Sequence, residues 1–205
     1  MRILLVNNEK DGTVSEWIAL LKDRVAVCAQ ADVELLRHVD IPASGVLKGE
    51  YDCIVLSGRE ITWKIEELPD EYRSELDLIR STALPVLGIC AGHELIGMAL
   101  GAQFGSMPGG QGEVQEEGFV ELEITIDPIF EGISSPCVCF SYHGDELKSM
   151  PDSCLLLAKS AMCGIHAIRH RERPIYGLQF HPEKYDEDHP HGRTILENFF
   201  RIAVS

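Results

Sequence analysis

No apolar run in this 205-residue chain reaches the length of a membrane span. The start does not read as an export signal, because Met1-Arg2-Ile3-Leu4-Leu5-Val6 turns polar at Asn7-Asn8-Glu9-Lys10. Basic residues are few: 18 Lys and Arg stand against 33 Asp and Glu, a formal charge of -15. That balance excludes nucleic acid or an anionic membrane surface as main partner, since both need basic patches. A disulfide framework is lacking too. The seven cysteines, Cys28, Cys53, Cys90, Cys137, Cys139, Cys154 and Cys163, are odd in number and irregularly spaced, which points to a reducing cytoplasm. Repeats, linkers and low-complexity segments are absent, so residues 1–205 read as a single domain large enough for its own core.

What is present is organised around residues 84–101. After Pro85, Val86-Leu87-Gly88-Ile89 reads as a buried strand, and Ala91 onward is an apolar segment of helical length ending at Gly101. Between them, Gly88-Ile89-Cys90-Ala91-Gly92 places glycine two residues either side of a cysteine, the pattern of a sharp strand-to-helix turn. Such a turn pushes its middle residue out above the sheet edge. The helix N-terminus would favour the Cys90 thiolate.

Up to Gly101 strand and helix alternate. Arg2–Asn7 is a first strand. Thr13–Lys22 carries the helical stripe Val14, Trp17, Ile18, Leu21, with Thr13 as N-cap. Val25–Ala29 is a second apolar run, and Val33–His38 reads as a short helical turn before the loop Ile41–Gly45. Tyr51–Leu56 is the third strand, and Pro69–Thr82 is helical, with Tyr72, Leu76 and Ile79 on one face. This alternation predicts an α/β fold with a mostly parallel central sheet, whose ligand site lies beyond the carboxyl ends of the strands. The second half changes character. Phe104–Gln115 is glycine-rich loop. Phe119–Ile126, Val138 onward, Leu155–Lys159, Gly164–Arg169 and Ile175–Phe180 are strands, and Thr194–Ala203 is a closing helix.

A thiolate nucleophile needs a proton acceptor held by an orienting group. His181-Pro182-Glu183 can supply both, because residues i and i+2 of an extended segment share a side. Glu183 can then bind one imidazole nitrogen while the other faces Cys90.

With these residues in place, the chain resembles a class I glutamine amidotransferase domain. The resemblance is carried by Gly88-Ile89-Cys90-Ala91-Gly92-His93, Leu56-Ser57-Gly58, Tyr142-His143-Gly144-Asp145, Gly177-Leu178-Gln179-Phe180-His181-Pro182-Glu183 and the final Ile195–Phe200 helix, in that family's order. It implies a flavodoxin-like α/β sheet flanked by helices, with extra antiparallel strands. It implies hydrolysis of the glutamine side-chain amide: Cys90 attacks, His181 shuttles the proton, and Glu183 holds the His181 tautomer. The substrate-binding set would be Gly58, Arg59, Ala91, Glu94, Gly144 and Asp145, with the oxyanion met by the Ala91 and Arg59 amides. No metal or organic cofactor is needed. The family passes its ammonia to a synthetase, for which this chain has no room, so a separate synthetase subunit is implied. The segment Gly109–Gly118 together with Tyr142–Asp145 looks most like the glutaminase part of GMP synthase.

Three positions depart from the family pattern. Arg59 stands where a second glycine is common, which would be costly if a positive φ were required there. Glu94 stands where Gln is common. An ionised Glu94 only accepts hydrogen bonds and opposes thiolate formation at Cys90; it could instead favour a substrate with a cationic group, or stay protonated. Ala91 replaces a larger residue, but only its amide is needed. A stand-alone γ-glutamyl hydrolase or peptidase of the same fold, and a catalytically silent regulatory subunit, remain as alternatives. Cys137, Cys139, Cys154 and Cys163 fit no zinc spacing, and alternate strand positions account for the first two. Asp186–His191 reads as a solvated loop, His143 as a hydrogen-bonding neighbour of the site, and Trp17 and Trp63 as core or edge packing.

Overall fold

The structure, a computed structural model, describes residues 1–44, 47, 51–60, 68–109 and 113–205. Trp63, Gly45 and residues 110–112 lie outside these, and with them part of each loop expected there. The elements run β1 (Arg2–Asn7), α1 (Glu16–Ala29), β2 (Asp32–Arg37), β3 (Cys53–Leu56), α2 (Leu68–Glu71), α3 (Arg73–Ser81), β4 (Val86–Ile89), α4 (Ala91–Ala99) and β5 (Phe104–Ser106). They continue as β6 (Glu116–Ile124), β7 (Cys137–His143), β8 (Asp145–Leu147), β9 (Cys154–Lys159), β10 (Ala167–His170), β11 (Ile175–Leu178) and α5 (His191–Ala203).

Nine strands form one sheet in the order β2-β1-β3-β4-β11-β10-β9-β6-β7. The first five are parallel, and β10, β9, β6 and β7 extend the sheet antiparallel. Strands β5 and β8 pair separately. Parallel strands covered on both faces are apolar throughout, and the residues of β1 divide accordingly. Ile3 and Leu5 pack with Leu21 and Val25 of α1 and Ile195 and Phe199 of α5. Leu4 and Val6 pack with Leu76 and Ile79 of α3 and Leu95 and Ile96 of α4. Each such side chain contributes about 1.5–3 kcal/mol by leaving water.

Four local expectations change. The loop expected over Phe104–Gln115 opens with the short strand β5, Phe104–Ser106, paired with β8. Val25–Ala29 is the last turns of α1, not a separate run: Ile18, Leu21 and Val25 recur at helical spacing on its buried side. The cap is Ser15, whose side chain accepts from the Ile18 amide, rather than Thr13. Val33–His38 is mainly strand β2, not a helical turn. It lies at the sheet edge, so its side chains alternate between half-buried and exposed and lack the apolar continuity of its neighbours.

Candidate active site

Strand β4 ends at Ile89, paired with Leu178 of the parallel strand β11. The two chains therefore leave the sheet side by side, and the Cys90 amide donates to the Leu178 carbonyl at 2.8 Å. Cys90 then takes φ 50° and ψ -105°, a left-handed backbone that costs a non-glycine residue on the order of 1–3 kcal/mol. The flanking glycines explain how the turn is possible. A Cβ on Gly88 would sit 2.4 Å from the Gly92 carbonyl oxygen, and one on Gly92 would sit 2.5 Å from that of Leu56. Only hydrogen fits at either place, so β4, β3 and the first turn of α4 meet directly.

Downstream of β11 the chain delivers His181 and Glu183 to the same rim. The His181 amide donates to the Phe140 carbonyl at 2.7 Å, which ties the segment to β7. His181 Nδ1 lies 2.8 Å from Glu183 Oε1, and both residues are buried. This contact holds the ring with Nε2 free, and Nε2 has no hydrogen-bond partner among the described residues. Gly58 marks where the catalytic candidates converge: a Cβ there would be 3.1 Å from His181 Cε1 and 3.4 Å from Cys90 Cβ. The Trp17 ring stands edge-on to the imidazole, with centroids 4.9 Å apart, and Trp17, Gly58, Arg59, His181 and Glu183 line a narrow cavity.

The state of the sulfur corrects two expectations. Cys90 is not pushed out above the sheet; it is 7 % exposed. Its thiol points to the Tyr142 carbonyl oxygen at 3.9 Å, and the Gln179 side-chain amide approaches the sulfur at 3.9 Å. Nor is thiolate favoured here. Burial pushes the thiol well above its ordinary range, and the Glu94 and Glu183 carboxylates push it further. The Ala91 amide pulls the other way but does not prevail. The helix N-terminus acts in the expected direction and loses to desolvation.

The remaining candidates divide. Glu94 is buried at the site, and its Oε1 accepts from Gln179 Nε2 at 3.0 Å. Arg59 is not among the residues with positive φ, so the expected strain there is absent; its Nη1 donates to the Tyr72 hydroxyl at 3.0 Å. Gly144 lies in the turn between β7 and β8, where a Cβ would fall 1.9 Å from the Glu113 carbonyl oxygen. Asp145 Oδ1 accepts from the Ser106 hydroxyl at 2.8 Å, and its charge is felt at Cys90. Sequence reasoning misses two neighbours. Gln179 bridges sulfur and carboxylate, and its position two residues before His181 in an extended segment is the available signal. Tyr142 contributes only its carbonyl, which no side-chain pattern announces.

The profile of the family described as "Glutamine amidotransferase class-I" matches residues 22–203. A Methanosarcina mazei protein described as one subunit of glutamine-hydrolyzing GMP synthase is 32% identical over 208 residues, covering 99% of this chain and 97% of that one. A Methanobrevibacter smithii protein of the same description is 37% identical over 130 residues, 62% of this chain and 64% of that protein. Among solved structures, a Thermoplasma acidophilum protein, provisionally described as a GMP synthase subunit, superimposes with TM-score 0.82 and 30% identity, covering 100% of this chain and 94% of that one. A Thermotoga maritima glutamine amidotransferase shares the fold, with TM-score 0.78 at 19% identity, covering 100% and 98%.

Proposed function

Because the chain belongs to the class I glutamine amidotransferase family, we propose that residues 1–205 work as one glutaminase unit that hydrolyses the side-chain amide of glutamine. The observation that carries this reading is the meeting of Cys90 and the Glu183-held His181 over Gly58, at the carboxyl ends of β4 and β11. Substrate displaces the thiol from the Tyr142 carbonyl, and His181 Nε2 takes the thiol proton. The sulfur adds to the amide carbon, and the backbone amides of Ala91 and Arg59 meet the oxyanion. The C–N bond breaks as His181 returns its proton to the departing nitrogen, leaving a glutamyl thioester and ammonia. Water, deprotonated by His181, cleaves the thioester to glutamate and restores the thiol. Gly58, Glu94, Gly144 and Asp145 frame the substrate. The step uses no cofactor.

The ammonia goes to a separate synthetase subunit of the GMP synthase type, because the Methanosarcina mazei relative, matched along nearly its whole length, is described as one subunit of that enzyme. The seven free cysteines suit a reducing cytoplasm. Among the described residues no helix is long and apolar enough to cross a membrane.

One observation favours a second reading, a γ-glutamyl hydrolase. Glu94 presents a buried carboxylate beside the sulfur, an acceptor suited to a substrate bearing a cationic group.

The test is a substrate panel with ammonia and glutamate readouts, run with and without a synthetase subunit. Glutamine should release ammonia, and Cys90→Ala should drop the rate to background. Cleavage of γ-glutamyl peptides but not of glutamine would favour the hydrolase. Wild type and Cys90→Ala behaving alike on every substrate, partner present, would leave a silent regulatory subunit.

A further inference from the structure

A second cluster of chemically capable side chains lies in the antiparallel half and takes no part in the proposed reaction. His143, Cys163 and His166 each bring one ligating atom to within 4.8 Å of the others, and all three are buried. Glu116 stands against the two histidines: its Oε2 lies 2.9 Å from His143 Nε2 and 2.6 Å from His166 Nε2. Three parts of the fold converge here, with Glu116 on β6, His143 at the end of β7, and Cys163 and His166 in the turn between β9 and β10.

The hydrogen bonds around His143 impose a choice. Its Nδ1 is 3.0 Å from the Asp145 carbonyl oxygen, which can only accept. Its Nε2 faces a carboxylate oxygen, also an acceptor. A neutral imidazole has one N–H and cannot serve both. Either His143 carries protons on both nitrogens, or a cation takes the place of the proton at Nε2. An Nδ1–H donated to a backbone carbonyl with Nε2 turned inward is how metal-bound imidazoles are usually oriented. Supporting contacts exist as well. Glu116 Oε1 accepts from the Ser160 hydroxyl at 2.6 Å, which leaves Oε2 for the centre. A surface groove lined by Gln115, Glu117, Ser160 and Met162 opens onto Glu116, an acidic way in.

We propose that Glu116, His143, Cys163 and His166 bind a divalent transition-metal ion of the zinc type. Two imidazole nitrogens and one sulfur form the clustered donor set, and the Glu116 carboxylate, in contact with both imidazoles, is the oxygen donor at hand to complete a four-coordinate site. These donors are a poor match to magnesium or calcium, which take oxygen alone. One thiolate and one carboxylate balance the charge of a divalent ion, as a buried site requires. The ion ties β6, β7 and the β9–β10 turn together, and it anchors the strand whose Tyr142 carbonyl faces Cys90.

Full-length protein freed of metal and titrated with Co²⁺ tests this. The expected result is one Co²⁺ per chain with a sulfur-to-cobalt charge-transfer band, displaced by Zn²⁺. Cys163→Ser should lose the band, whereas Cys90→Ser and Cys137→Ser should keep it. His166→Gln should weaken Co²⁺ binding by at least about tenfold. No stoichiometric binding by folded wild type, or a band that survives Cys163→Ser, overturns the proposal. Should Cys163→Ser fail to fold, the His166→Gln titration decides: unchanged affinity overturns the site, and the tenfold loss supports it.

Discussion

Glu75 and Glu116 are both buried carboxylates, one in each half of the molecule, and their surroundings are opposite. Glu75 sits on α3, packed against the parallel half, with the Asn8 side chain beside its carboxyl. Burial pushes its carboxyl up to about 8, and the neighbouring Asn8 amide pulls it down by less. Glu116, on the antiparallel side, receives His143, His166 and Ser160. Burial would raise it too, but those partners overrule burial and hold it far below the usual carboxylate range. The same group buried in one chain is thus a neutral acid in one place and a fixed anion in another. Partners, not depth, decide the charge.

The largest effect should come from removing the fixed anion. Glu116→Gln removes the carboxylate that raises His143 against its burial and that also contacts His166 and Ser160. The expected loss is about 3–5 kcal/mol of unfolding free energy at neutral pH, read by urea denaturation of metal-free protein. A loss below about 1 kcal/mol would erase the contrast with Glu75.

Glu75→Gln should act with the opposite sign. A carboxyl raised in the folded state binds its proton more tightly there than in the unfolded chain. Its contribution is therefore full below the ordinary value of 4.5 and is lost as pH rises towards about 8. The substitution should be near neutral at pH 4.5 and stabilise by about 3 kcal/mol at pH 7, measured as the difference between variant and wild-type denaturation curves across that range. A difference that does not grow with pH would mean that Glu75 is ionised.

Glu94 sharpens the comparison on the catalytic rim, where the carboxylate acts on a thiol. Removing its charge in Glu94→Gln should lower the Cys90 thiol from its raised position, because Glu94 is the largest contributor after burial itself. Alkylation of Cys90 by iodoacetamide at pH 8 should therefore be faster in Glu94→Gln than in the wild type. In the wild type the rate should still be climbing above pH 9, since the thiolate forms only there. A plateau below pH 8 would mean that the sulfur is already ionised.

The two halves also differ in how much of them can be read without the structure. Strands β1, β3, β4 and β11 are fully buried apart from Arg2, and their unbroken apolar runs announce them. Strand β2 belongs to the same parallel set but lies at its edge. Its alternating Asp32-Val33-Glu34-Leu35 lacks that signature and reads as a helical turn. Strands β5 and β8 are three residues each, too short for a pattern. The candidates Cys90, His181 and Glu183 are legible because each sits in a tight local motif that the proposed chemistry demands. The link between Glu116 and His166 spans 50 residues and exists only through the sheet, so nothing local marks it. By spacing, Cys163 groups with the other cysteines, whereas its neighbours in space are histidines.

The backbone at Cys90 has one more implication. Its φ of 50° suits glycine better than any residue able to carry out the proposed reaction. Cys90→Gly should therefore melt at a higher temperature than Cys90→Ala, although both lack the proposed nucleophile. The chain would be a sturdier object without its working part, and the gap between those two melting points measures what reactivity withholds from durability.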